Sequence, residues 1–467
     1  MPERNSLAAR ALPLFTWGLV FHILTIAVLF GALHVPEATA RALAAWKEAA
    51  AVLLVLVVSI GAATGRGTRS QIGLPDVLIV SWLGLAVFFF ITEDVVWGAT
   101  IPLKATAYGL RDIAFFVLLF FVGRATPEIV TNPRTLRRLY TVLLVTSIVA
   151  VIERIFVTPS MLVVLGVASY TQDFLGTSAY TVGNVYGLPD NYWTDMGGHL
   201  VRRAGSVYLS SQGFATPFVL LLPGATMWAW HVRRPSTWLK LGYVVIWAGL
   251  ILTFTRAAIV ICALQVLLIL LYRKRSTGMA LAAAAATTIV AIALVALPGL
   301  ANFVMDTLTW QNGSSQSHLK DMIAGVEAFV RAPLGYGLGT TDQTAVRAGL
   351  KPITSDNLYL KFAVEMGLPG LLVHVAAMFT IGLTGFRLMR DDASIEQQAF
   401  GATVALGALG IAIDGMGGVL FSHPLIGYLF FWFAGSAVTV WAQQQTSHAG
   451  SSSSSSRYAP RIRDMPV

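Results

Sequence analysis

The sequence predicts an all-α membrane protein of about twelve transmembrane helices with both termini in the cytoplasm. Three observations predict it. Hydrophobic residues make up 56% of the chain and charged residues only 12%, against about 25% charged in a soluble protein; mean hydropathy is +0.70. Apolar runs close to the ~20 residues that cross a bilayer recur along the chain. The segments between those runs alternate between basic and nearly neutral.

The predicted spans are Leu12–Val35, Ala42–Ala63, Leu74–Thr92, Ala105–Gly123, Leu139–Val157, Ser206–Trp230, Trp238–Phe254, Arg256–Tyr272, Gly278–Leu297, Leu358–Leu383, Gln398–Leu420 and Leu425–Trp441. Lys47 and Glu48 interrupt the second, and both are expected to reach the interface. The seventh and eighth are joined almost directly, as a tight hairpin. The N-terminal run lacks a small-residue cleavage site and is expected to stay as the first helix.

Charge sets the orientation. With the N-terminus inside, the inner segments hold Arg66 and Arg69, Arg134, Arg137 and Arg138, Arg233 and Arg234, Arg273 to Arg275, and Arg387 and Arg390. Basic residues are retained on the cytoplasmic side. That explains the net charge of +9 without a nucleic-acid partner. The single cysteine, Cys262, makes no internal disulfide or metal cluster and is expected to be packing. Residues 1–444 thus form one polytopic domain, and 445–467, with the Ser451–Ser456 run, are expected to be a disordered cytoplasmic tail.

Two outer loops are long, about 158–205 and 298–357. Long loops in compact proteins are usually functional or disordered. The first is rich in Tyr, Asn, Trp and Gly. The second holds an amphipathic stretch, His318–Arg331, with Met322, Val326 and Phe329 at helical spacing, read as a helix over the outer mouth.

Several residues in these loops suit anion or proton chemistry. Arg256 sits at the hairpin between two apolar helices, where a guanidinium is costly unless it meets an anion or a wet cavity; its fork matches phosphate oxygens. Arg202 and Arg203 end the first loop at a membrane mouth. Either the three bind an anion, or they anchor at headgroups. Asp356 precedes the tenth span, as a helix cap or as a carboxylate facing the outer cavity; a helix N-terminus tends to lower an acid's pKa. His318 starts the loop helix. Glu93 and Asp94 form an acidic pair too small to argue a metal site. Arg111 with Asp112, and Glu153 with Arg154, are expected to pair with each other. Asp414 stands alone in an apolar run.

Three stretches carry a family likeness. Arg203-Ala204-Gly205-Ser206 and Thr255-Arg256-Ala257 are two. The third is Pro333-Leu334-Gly335-Tyr336-Gly337-Leu338-Gly339, followed by Asp356-Asn357-Leu358-Tyr359-Leu360 and Glu365-Met366-Gly367-Leu368-Pro369-Gly370-Leu371. Their order and spacing resemble the O-antigen ligase and O-antigen polymerase superfamily of membrane glycosyltransferases. The resemblance implies an all-helical lipid-donor glycosyltransferase fold with a large periplasmic loop before helix 10. It implies transfer of a glycan from an undecaprenyl-diphosphate carrier, at the periplasmic face of the inner membrane, without metal or other cofactor. Acceptors are a growing glycan or lipid A-core, and a chain-length regulator is an expected partner. Diphosphate binding falls to Arg256, Arg203 and Arg202. The chain departs from the ligase pattern at Asp356, where ligases usually have His, and at His318, where many members have Arg. The two changes are expected to be linked, with His318 and Asp356 facing each other and one of them serving as base.

Overall fold

The computed structural model describes residues 6–65, 71–96, 101–176, 187–196, 199–231, 236–272, 313–354, 356–390 and 393–455. The predicted ninth span, Gly278–Leu297, lies outside them, as do the side chains of Glu93 and Asp94.

The other predicted spans all fall on helices. In chain order these are α1 (Leu7–Ala27, extended by a π turn), α2 (Glu37–Ala44), α3 (Trp46–Ala63), α4 (Leu74–Val96), α5 (Leu103–Ala114), α6 (Leu119–Arg124), α7 (Glu128–Thr131) and α8 (Pro133–Phe156). After the short α9 (Pro159–Val164) and α10 (Val167–Ser169) come α11 (Ser211–His231), α12 (Thr237–Leu252) and α13 (Arg256–Tyr272). Then follow α14 (Gly313–Arg331), α15 (Asp342–Ala348), α16 (Leu358–Leu388), α17 (Ile395–Asp414) and α18 (Pro424–Ser455). Among the described residues, seven helices or helix pairs are long and apolar enough to cross a membrane. Helix α11 is buried over most of its length despite Pro217 and Pro223, packed against α17, α8 and α13. Helix α18 runs past Trp441 through Ala442-Gln443-Gln444-Gln445 to Ser455, into the segment expected to be disordered; Ala and Gln favour helix.

Three local features differ from expectation. The chain is not wholly helical: strands β1 (Trp193–Met196) and β2 (His199–Arg202) form an antiparallel hairpin with Trp193 opposite Arg202. Lys47 and Glu48 turn into the protein instead of outward. They are mostly buried and paired at 3.0 Å, with Arg111 at 3.9 Å from Glu48, because neighbouring opposite charge offsets their desolvation. Glu153 turns from Arg154 towards the backbone of residues 205 and 206, whereas Arg111 and Asp112 do pair, at 2.8 Å.

The glycine-rich turn is a structural joint. Helix α16 is broken at Gly367, whose φ of 64° is open to glycine. The break leaves carbonyls without helical donors, and the turn supplies them. Tyr336 N–H donates to Val364 O at 2.7 Å and Gly337 N–H to Glu365 O at 3.2 Å, while Leu368 N–H donates to Pro333 O at 2.8 Å. On its other side the turn lies against α5: a Cβ on Gly339 would stand 2.1 Å from Ala105 O. The turn is thereby wedged between two membrane helices.

Candidate functional site

Arg203 is aimed by its surroundings. Its own N–H donates to Tyr192 O at 2.8 Å, and Ala204 N–H to Leu252 O at 2.9 Å. Its Nε donates to Thr253 O and its Nη2 to Thr255 Oγ1, both at 2.8 Å. These bonds tie the guanidinium to the α12–α13 hairpin, which turns through Phe254 at φ 49° and ends on Arg256. Among the described residues no carboxylate forms a salt bridge with Arg203. Burial and the neighbouring Arg256 push its pKa down to about 10, so it remains a cation near neutral pH. Arg203, partly buried and without a salt bridge to a described carboxylate, adjoins a second cation in Arg256, and two adjoining cations form a place for an anion.

Arg202 is occupied differently. It is buried, and its guanidinium donates to Val157 O at 2.6 Å and Glu153 O at 2.8 Å. It therefore closes the C-terminal turn of α8, adding a donor to Val157 O beyond the helix and a second one to Glu153 O, which also accepts from Val157 N–H at 3.1 Å. Of the three arginines expected at the diphosphate, Arg203 and Arg256 adjoin each other, whereas the Arg202 guanidinium is turned to backbone carbonyls.

The structure brings His318 and Asp356 together, with Nδ1 to Oδ2 at 3.8 Å. Asp356 is not the cap of α16. Asn357 is, its Oδ1 accepting from Leu360 N–H at 2.9 Å. Asp356 stands one residue outside the helix at φ 56°, a left-handed conformation that Asp tolerates better than most residues. Its pKa is not lowered, as a helix N-terminus would make it. The surrounding protein raises it against the opposing pull of His318, with Asp321 and Asp342 adding to the rise, although the side chain keeps 59% of its surface exposed.

Both groups occupy one end of the bundle. Gly415, closing α17, accepts from Leu358 N–H at 2.8 Å, and Asn357 Nδ2 donates to Met416 O at 2.9 Å. The α17–α18 linker continues to His423, whose ring abuts Gly213 near the start of α11. There Ser211 O accepts from Thr255 Oγ1 at 3.4 Å, next to Arg203.

Beneath the Asp356 end lies a group that sequence alone did not single out. Lys361 Nζ is 2.7 Å from Asp342 Oδ2 and 3.2 Å from Glu365 Oε1. Thr341 Oγ1 donates to Glu365, and Thr344 Oγ1 to Asp112 Oδ2 at 2.7 Å. Glu365 Oε2 is buried and has no hydrogen-bond partner among the described residues. The signal was present: opposite charges one turn apart, Lys361 and Glu365, inside an apolar run. Among the described residues no group of three or more His, Cys, Asp or Glu is placed to hold a metal.

Residues 241–375 match a family model described as O-antigen ligase. The matched region takes in Arg256, His318, the glycine-rich turn, Asp356 and the Lys361 group. It supports placing the chain in the O-antigen ligase and polymerase superfamily. No curated protein matches the chain.

Proposed function

From that placement, we propose that the chain is a glycosyltransferase that polymerises undecaprenyl-diphosphate-linked repeat units into a surface polysaccharide, at the periplasmic face of the inner membrane. The observation that supports this reading is the adjoining Arg203 and Arg256 at the α12–α13 hairpin, where Arg203 is held by Thr253 and Thr255; in this reading the pair receives a lipid-linked diphosphate. An acceptor hydroxyl oxygen attacks the anomeric carbon as the bond to the diphosphate breaks, and the leaving diphosphate takes the electron pair against the two guanidinium groups. The hydroxyl proton passes to the His318–Asp356 pair. A single displacement inverts the anomeric configuration. The scheme assigns no step to a metal.

A ligase that moves the finished glycan to lipid A-core is the second reading, favoured by the description of the matching family. Asp356, where ligases usually carry His, tilts the choice to polymerisation. The test is incubation of the purified protein with a lipid-linked repeat unit, with and without lipid A-core. A ladder from the donor alone is expected. One discrete adduct that requires lipid A-core would establish the ligase instead, and no transfer with either would overturn both readings.

A further inference from the structure

Helix α14 has three faces. Gly325 and Ala328 form the packing face: a Cβ on Gly325 would stand 2.7 Å from Thr354 Oγ1 and 2.8 Å from Leu360 Cδ1, so α14 lies directly on the first turn of α16. Thr354 Oγ1 also donates to Asp321 O at 3.0 Å. Lys320, Glu327 and Arg331 form a charged face, with Arg331 paired to Glu327 at 3.1 Å and both well exposed. Ile323, Val326 and Val330 form the third. By their spacing they fall within an arc of about 60°, and they are 50%, 48% and 70% exposed.

Water is a poor neighbour for that third face, and its position says what covers it. Leu334, 54% exposed, continues it beyond the helix. Leu368 N–H donates to Pro333 O at 2.8 Å, which sets Leu334 beside the exposed Leu368. Leu368 opens a row with Leu372 and Phe379, also exposed, down a helix long and apolar enough to span a membrane. The apolar strip therefore runs unbroken from the side of α16 onto α14. A helix with a charged face beside an apolar one lies in the plane of a bilayer interface.

We propose that α14 is embedded in the interfacial zone of the bilayer, with Ile323, Val326, Val330 and Leu334 against lipid acyl chains. The loop helix is then part of the membrane boundary and not a lid standing in water. This assignment is independent of the proposed reaction. If that reaction is right, it also sets His318, near the start of α14, at the depth of the headgroups, where a membrane-anchored diphosphate resides.

The test uses the full chain with Cys262→Ala, reconstituted into phosphatidylethanolamine–phosphatidylglycerol vesicles. A nitroxide is attached at Val326→Cys, Val330→Cys or Glu327→Cys. All three positions are exposed, so the label displaces no packing. Collisions with oxygen, which partitions into acyl chains, are compared with those of a water-soluble nickel chelate. The expected result is an oxygen-to-nickel ratio several-fold higher at 326 and 330 than at 327. Nickel access as high at 330 as at 327 overturns the proposal. Low access to both reagents at 330 also overturns it, since protein would then cover the face.

Discussion

The main-chain N–H of Ser206 donates to Glu153 Oε2 at 2.6 Å, and that of Gly205 to the same oxygen at 3.1 Å. The end of α8 thereby holds the turn that carries Arg203. Arg202 returns the tie by donating to the Glu153 carbonyl. The two arginines should then fail differently. Glu153→Ala leaves two buried N–H groups unsatisfied, about 1–3 kcal/mol each, and lets Arg203 drift. We expect a KM for the lipid-linked donor raised about tenfold or more with the acceptor KM little changed, and partial rescue by Glu153→Gln. Arg202→Gln should lower thermal stability and spare the donor KM of the protein that remains folded. Equal effects on donor KM from both would undo the division of labour.

Arg256→Lys tests the cationic pair by geometry, since it keeps the charge and loses the planar fork. Initial rates with a lipid-linked donor should fall by about 10- to 100-fold, the effect of losing a bidentate contact of about 1.5–3 kcal/mol. Full activity in this variant would remove the diphosphate clamp from the scheme.

The His318–Asp356 pair should behave as a unit. His318→Ala and Asp356→Asn are expected to be strongly non-additive in transfer rate, with the double variant close to the worse single one. Additive losses would show two independent residues. The raised pKa of Asp356 also fixes a sign for pH. If its carboxylate is the base, activity is lost as pH falls through that pKa, so the acid limb of the rate profile lies above the ordinary aspartate value of about 4. A limb below 4 in the wild type, or one unchanged in Asp356→Asn, excludes Asp356 as that base. For stability the same shift has the opposite sense: a carboxyl that folding makes harder to ionise favours the folded state more as pH falls and it protonates.

Much of the helical frame is legible because membrane helices need long apolar runs, and Arg256–Tyr272 coincides with its helix at both ends. What the sequence conceals is long-range. Glu153 meets its partners more than 50 positions away, and nothing in Glu153-Arg154 points to Gly205. The break in α16 is half legible: Gly367 and Pro369 weaken a helix, but only the fold shows the glycine-rich turn filling it. The β1–β2 hairpin had a cue in Gly197-Gly198, a dipeptide favoured in tight turns, set within a chain whose hydrophobic content otherwise argues for helix. The cationic pair was legible by residue type, while Arg202, of the same type, was not separable from Arg203 until its carbonyl partners were seen.

The glycines of the joint differ in a measurable way. A Cβ at Gly367 would lie 2.4 Å from the Leu334 carbonyl carbon, whereas at Gly349, φ 85°, it meets nothing within 4 Å. Gly349→Ala should therefore lose only the backbone preference, about 1–2 kcal/mol. Gly367→Ala adds a backbone collision and should lower the unfolding temperature in detergent by clearly more. Similar shifts for the two would mean that the turn is not wedged against the α16 break as tightly as the contacts require.

Lys361 gives the sharpest energetic test, because its head group sits between two buried carboxylates with 3% of its side-chain surface exposed. Removing one member of such a group strands the others. Lys361→Met should destabilise by about 3–5 kcal/mol, while replacing a whole ionic group by neutral residues is often close to neutral. Lys361→Met combined with Asp342→Asn and Glu365→Gln should therefore recover most of the loss in thermal unfolding. If it does, the group acts as an ionic clamp between α15 and α16. If Lys361→Met unfolds at the wild-type temperature, the lysine does not hold the outer loop to the membrane helices.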